Sequence, residues 1–135
     1  MQLTLENPDF RYQLRGVNAE GVLVNDRRIA HSFIIAPSLL IEPWRPRQVE
    51  ELLPEDLQAA LDLNPSVLLL GSGISLRFPS AAVMAACLTR GIGIEVMDNA
   101  AAARTFNVLA TEARKVVAGF LLDSEITASE SSLIL

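Results

Sequence analysis

Three short strand-like segments in the second half of the chain, at residues 67–70, 92–97 and 116–122, alternate with stretches suited to helices. No other feature narrows the fold as far. "NPSVLLL" follows an Asn64-Pro65 turn and shows no polar alternation, as expected of a strand buried on both faces. Ahead of it, Pro54, Glu55 and Asp56 put a proline and two acids where a first helical turn favours them, and Leu57, Ala60 and Leu61 share one face. Behind it, Pro79 suits another first helical turn, and the alanine-rich "SAAVMAACLTR" runs on until Gly91 stops it. "IGIEVM" is the next strand. Asp98 then caps a helix over "NAAARTFNVLATEAR", and "VVAGFLL" closes the body. Helix, strand, helix, strand, helix, strand in that order predicts an α/β fold of three layers, with the strands side by side and helices covering the sheet.

The first half reads differently. "YQLRGV" and "GVLVN" flank Asn18-Ala19-Glu20-Gly21, a hairpin turn, and Asn25-Asp26 makes a second turn before "RIAHSFIIAP" and "LLIEPW", where Pro37 marks a bend. Strands this closely spaced pair antiparallel, because a parallel crossover needs about a dozen residues. A mixed sheet with an N-terminal antiparallel portion is therefore expected. Neither a repeat nor a linker divides the chain, which reads as a single domain over residues 1–122. Residues 123–135, rich in Ser, Thr and Glu, read as a mobile acidic tail.

Charge excludes some partners. Of 16 acids against 11 bases, Asp123, Glu125 and Glu130 lie in the tail, leaving residues 1–122 with 13 against 11, close to neutral. Nucleic acid, which needs a basic surface, is not an expected partner. One cysteine and one histidine cannot build a usual zinc site or an intrachain disulfide, and no metal or cofactor is implied. The start, "MQLTLENPDF", lacks the basic and apolar regions of a signal peptide, and no apolar run approaches a membrane span of about 20 residues. A cytoplasmic setting is expected.

Several residues are candidates for chemistry. In "LLLGSGISLRFPS", Gly71, Ser72 and Gly73 follow a strand and precede a helix, with Arg77 nearby, which are the parts of a small-anion cradle. Nucleotide motifs fail here: the only lysine is Lys115, and Leu76 stands where a dinucleotide loop needs a small residue. The alternative is a tight structural turn. If the first two strands of the α/β half are parallel, Asp98 shares the rim with residues 71–73 and faces Arg77 across one crevice. Asp98 also serves simply as a helix cap. Asn107 is a poor mid-helix residue that either bonds a backbone or lines the crevice. The acids Glu95 and Glu112 join Asp98 as a group of interest. His31 sits centrally in "IAHSFII" with Ser32 on the opposite strand face, so no Ser–His pair is built in locally. Cys87 among "MAACL" reads as a buried inert thiol. "EPWRPR" presents Trp44, Arg45 and Arg47 either as an interface or, for Trp44, as a lid over the core.

The series "EPW", "LLLGSG", "FPS", "GIGIEVMDN" and "AARTFNVLATEARKVVAGFLL" resembles a small α/β domain family of unassigned biochemical function. That family includes the mitochondrial complex I assembly factor of NADH dehydrogenase and an adipogenesis-associated protein. Relatives carry Gly-Thr-Gly at the position of Ser72 and Met-Asp-Thr at that of Asn99, with Cys and Tyr near Ala103 and Phe106. The resemblance implies a three-layer fold around a mixed sheet and no settled reaction. No complete catalytic constellation is present. The expectation is a non-catalytic, bacterial-type binding or assembly protein with a protein partner, working through Trp44, Arg45 and Arg47 and the glycine-loop end of the sheet. An antiparallel N-terminal edge strand, able to pair with another copy, also offers a route to a homodimer. The competing expectation is a small-anion or metabolite binder, or enzyme, in the crevice at Gly71, Gly73 and Asp98.

Overall fold

The computed structural model describes residues 11–123. Residues 124–135, which include most of the expected tail, lie outside the described residues. The chain opens with a meander of β1 (Leu14–Asn18), β2 (Gly21–Val24) and β3 (Arg27–Ile29), paired antiparallel in that order. Both expected turns are present. Gly21 begins β2 at φ 135°, and a Cβ there would strike the Ile29 backbone, so only glycine closes this hairpin. Asn25 takes the left-handed conformation (φ 53°) that its short polar side chain tolerates, and its Oδ1 accepts from the Gln13 amide at 2.9 Å.

The strand expected across "RIAHSFIIAP" is in fact two. β3 ends at Ile29, and β4 (Phe33–Ala36) starts in the second sheet. The reason lies in Ser32, which is buried and turned inward. Its Oγ accepts from the Leu122 amide at 2.8 Å and donates to the Leu122 carbonyl at 3.2 Å. Ala30 and His31 thus cross between sheets, and His31 lies on a connection rather than in a strand.

The second sheet adds β5 (Leu39–Ile41), β6 (Val67–Gly71), β7 (Gly93–Met97) and β8 (Val116–Phe120), in the order β5-β4-β8-β6-β7. β4 runs antiparallel to β5 and β8, whereas β6 is parallel to both β7 and β8. The sheet is mixed. Helix α1 (Gln58–Leu61) continues a 3-10 turn over Pro54–Leu57, α2 (Ala81–Leu88) follows β6, and α3 (Asn99–Thr111) follows β7. Pro79 is not in the first turn of α2. Ser80 takes the cap position and its Oγ accepts from the Val83 amide, leaving the proline just outside.

Each central strand is buried on both faces, and alternate residues go to different cores. Leu69, Val116, Ala118 and Phe120 pack with α3 and the N-terminal meander, where Phe33 and Phe120 stack with ring centroids 5.1 Å apart. Leu68, Leu70, Val117 and Leu121 pack on the opposite side with α1, α2 and Trp44. Cys87 lies in that second core, and burial pushes its thiol pKa up, which leaves it an inert hydrophobe.

Candidate functional site

Because β6 and β7 are parallel in register from Val67↔Gly93 to Gly71↔Met97, both strands deliver their following turns to one rim. There the turns are stitched together. The Ser72 amide donates to the Met97 carbonyl, and the Asn99 amide to the Gly73 carbonyl, each at 2.8 Å. The Gly73 amide donates to Asn99 Oδ1 at 3.1 Å, while Asn99 Nδ2 donates to the Leu121 carbonyl at 3.0 Å. Asn99 is 3% exposed and ties three strand ends with one side chain. Gly71 is glycine for a steric reason: a Cβ would meet Asn99 and come within 3.0 Å of Phe120.

The predicted residues Gly71, Ser72, Gly73 and Asp98 therefore share the rim, but their polar groups are engaged. The amides of Ser72 and Gly73, the donors an anion cradle would use, both point into the protein. Ser72 Oγ donates to the Ser75 carbonyl at 2.8 Å and accepts from the Arg77 amide at 3.0 Å. The Asp98 carboxylate accepts from the Ala101 amide at 2.8 Å, as a helix cap. The guanidinium of Arg77 pairs with Glu50, not with Asp98. Asn107 is turned away from the rim. Its Oδ1 accepts from the Leu14 amide at 3.0 Å and its Nδ2 donates to the Leu14 carbonyl at 2.7 Å, which explains a poor helix former in mid-helix. Glu95 faces outward on β7, and Glu112 caps the far end of α3, so neither joins Asp98.

In the 44–47 segment, Trp44 covers the second core. It is 8% exposed, and its Nε1 donates to the Asp56 carbonyl at 2.9 Å. Its ring occupies the place of a side chain at Gly119, where an added Cβ would come within 2.7 Å of it. Arg45 forks onto the Asp56 carboxylate at 3.0 and 2.6 Å, and Arg47 reaches Glu51 at 2.7 Å. His31 and Arg27 converge on Glu42, with His31 Nε2 2.7 Å from the carboxylate.

These pairs set the acid response. Glu42 is held below the ordinary carboxylate range chiefly by the hydrogen bond from Arg27, Glu51 by that from Arg47, and Asp56 by that from Arg45. Such carboxyls take up protons on unfolding, so their stabilisation is complete above the ordinary range and is lost as pH falls through the lower folded values. The melting temperature is expected to hold between about pH 7 and pH 5 and to decline below about pH 4. Salt should shrink the decline, since Arg27 and Arg45 are 59% and 55% exposed. A melting temperature that rises on acidification contradicts this account.

What the sequence did not flag is the exposure of the apolar side chains in the loop after β6. Ile74, Leu76 and Phe78 are 88%, 53% and 67% exposed, three large apolar side chains at alternate positions of one short loop. The Arg77–Glu50 pair holds that loop beside the 3-10 turn Val49–Glu51, beyond which Leu53 is also exposed. The glycines and the proline drew attention to the backbone here, whereas the exposed side chains are the unusual feature.

Among the described residues no group of His, Cys, Asp and Glu is placed to hold a metal ion, and no helix is long and apolar enough to cross a membrane. The fold is shared with solved bacterial proteins. It is similar to XCC1710 of Xanthomonas campestris, solved by NMR, at 47% identity and a TM-score of 0.79 over 91% of this chain and 93% of that one. A Bordetella pertussis protein described as a Mth938-like domain is similar at 26% identity and a TM-score of 0.72 over 83% of this chain and 86% of that one. A Bartonella henselae protein named as an outer membrane protein is similar at 26% identity and a TM-score of 0.71 over 84% and 97%. No curated protein matches the chain. Residues 14–121, nearly the whole described body, match one family model, and the chain belongs to that family, described as protein of unknown function (DUF498/DUF598).

Proposed function

We propose that the chain is a non-catalytic interaction module that docks a protein partner on the loop bearing Ile74, Leu76 and Phe78. Exposure of those three side chains is the observation that carries the reading: leaving them in water forgoes at least half of the about 1.5–3 kcal/mol that full burial of each would supply. The partner that fits is a protein with an apolar groove. Around the loop, Arg77, Arg45 and Arg47 are paired with Glu50, Asp56 and Glu51, a charged but largely neutralised rim. An assembly role of the kind suggested by the resemblance to the complex I assembly factor is consistent with such a surface. On this reading the protein works in the cytoplasm.

A small-anion site at the glycine loop has less support, because the Ser72 and Gly73 amides are already bonded. Self-association through an edge of the meander is also weaker. The β3 edge is three residues long and carries Arg27 and Arg28, and the β1 edge is interrupted by a bulge at Arg15, features that discourage edge pairing.

The double variant Ile74→Asp, Phe78→Asp tests the reading. Both side chains are exposed, so the melting temperature should be unchanged within the effect of about 0.5 kcal/mol usual for surface sites. Affinity for the partner isolated with the wild-type protein should fall at least about 100-fold, the loss expected of two hot-spot residues. Undiminished affinity in the folded double variant would refute the docking surface, and light scattering on both forms reveals whether the partner is a second copy.

A further inference from the structure

We propose that a groove between β1 and α3 binds a small organic anion, a carboxylate or a phosphate monoester with an apolar arm, through Arg15 and Arg104. The groove has a volume of about 230 Å³, with Leu14, Gly16, Ala100 and Ala103 among its walls and the two arginines at its edges. Small side chains make the space. A Cβ on Gly16 would have nothing within 4 Å, and the helix opposite presents alanines.

A β-bulge aims the first arginine. Leu14 pairs with Val24 and Gly16 with Leu23, which leaves Arg15 as the extra residue, outside the ladder. Bulges of this kind redirect a side chain and bend a strand next to sites. The bulge is braced from α3. Asn107 takes both the amide and the carbonyl of Leu14, holding the strand at a fixed distance from the helix one turn beyond Arg104. The residue that resembled a ligand contact in the sequence thus shapes a groove from behind.

Charge points to the ligand class. Arg27, Arg45, Arg47, Arg77 and Arg90 each pair with a carboxylate. The guanidiniums of Arg15 and Arg104 have neither a hydrogen bond nor an ion pair among the described residues, and no acid lines the groove. Two guanidiniums bordering one space repel each other until an anion lies between them, and their planar forks suit carboxylate or phosphate oxygens. The part of the lining formed by Leu14, Val17, Ala100 and Ala103 favours an organic anion over a bare ion. The volume is below the roughly 300 Å³ at which drug-sized ligands begin to fit, so the ligand is small.

Amide chemical shifts of the whole chain, followed at constant ionic strength with benzoate, phenyl phosphate and inorganic phosphate, provide the test. Benzoate or phenyl phosphate should shift Gly16, Ala100 and Ala103 saturably. R15A/R104A should weaken that binding at least about tenfold, and R15K/R104K severalfold, because charge remains while the fork is lost. Gly16→Leu, which adds a side chain to open space, should keep the fold and abolish binding. The proposal fails if neither organic probe saturates below about 10 mM. It also fails if R15A/R104A binds as tightly as the wild type. These residues are disjoint from Ile74 and Phe78, so failure here leaves the docking loop standing, and the reverse holds too.

Discussion

Trp44→Ala is expected to lower the free energy of unfolding by about 3–5 kcal/mol, the usual result of emptying a buried aromatic site. The ring stands over Gly119 of β8, bonds the Asp56 carbonyl through Nε1, and joins the core formed with Leu57, Leu68 and Val117. Chemical denaturation followed by circular dichroism measures the loss. Since Trp44 is the only tryptophan, wild-type emission should be blue-shifted and should move red on unfolding. Gly119→Ala probes the same contact from the other side. Its Cβ would lie 2.7–2.8 Å from the ring, and displacing the ring should cost about 1–3 kcal/mol. A Trp44→Ala protein of wild-type stability would return this residue to the surface and to the interface. A loss of that size would obscure any effect of Trp44→Ala on partner binding, whereas Ile74 and Phe78 are exposed and can be changed with the fold intact.

Asn99→Ala should cost about 2–4 kcal/mol, since it leaves the Gly73 amide and the Leu121 carbonyl without their partner in the rim. The accompanying signature is local. The Gly73 amide should exchange with solvent faster than its neighbours on β6, and the loop bearing Ile74 should loosen with it. Gly71→Ala puts a Cβ against the same side chain and against Phe120, and should reproduce part of the loss. If Asn99→Ala were as stable as the wild type, the side chain would not be the tie between the β6, β7 and β8 ends, and a ligand-facing role at the rim would regain its standing.

Much of the fold was legible because its signals are local. Residues 67–70 read as a doubly buried strand from their unbroken apolar run, and Asp98 as a helix cap from its place before an alanine-rich stretch. Parallel β6 and β7 then brought residues 71–73 to the same rim as Asp98. The break in the strand at His31 was not legible, because an apolar run cannot reveal that Ser32 bonds Leu122, 90 residues away. The partner of Arg77 was hidden for a similar reason. Glu50 is remote from it in the chain and competes for it only after the 3-10 turn packs beside the loop.

The sequence by itself determined most of the strands and helices, the break between Ile29 and Phe33 excepted, and that the α/β half closes around a mixed sheet. Apolar spacing, caps and turn residues act within a few positions of where they stand. Only the tertiary structure decided which polar groups are already satisfied and which side chains stay exposed. It committed the glycine-loop amides to neighbouring strands, buried Trp44 against Gly119, and left Ile74, Leu76 and Phe78 in solvent. It also set Arg15 and Arg104, 89 positions apart, beside one groove. Exposure and hydrogen-bond satisfaction depend on what packs against a residue, and that partner usually lies far along the chain.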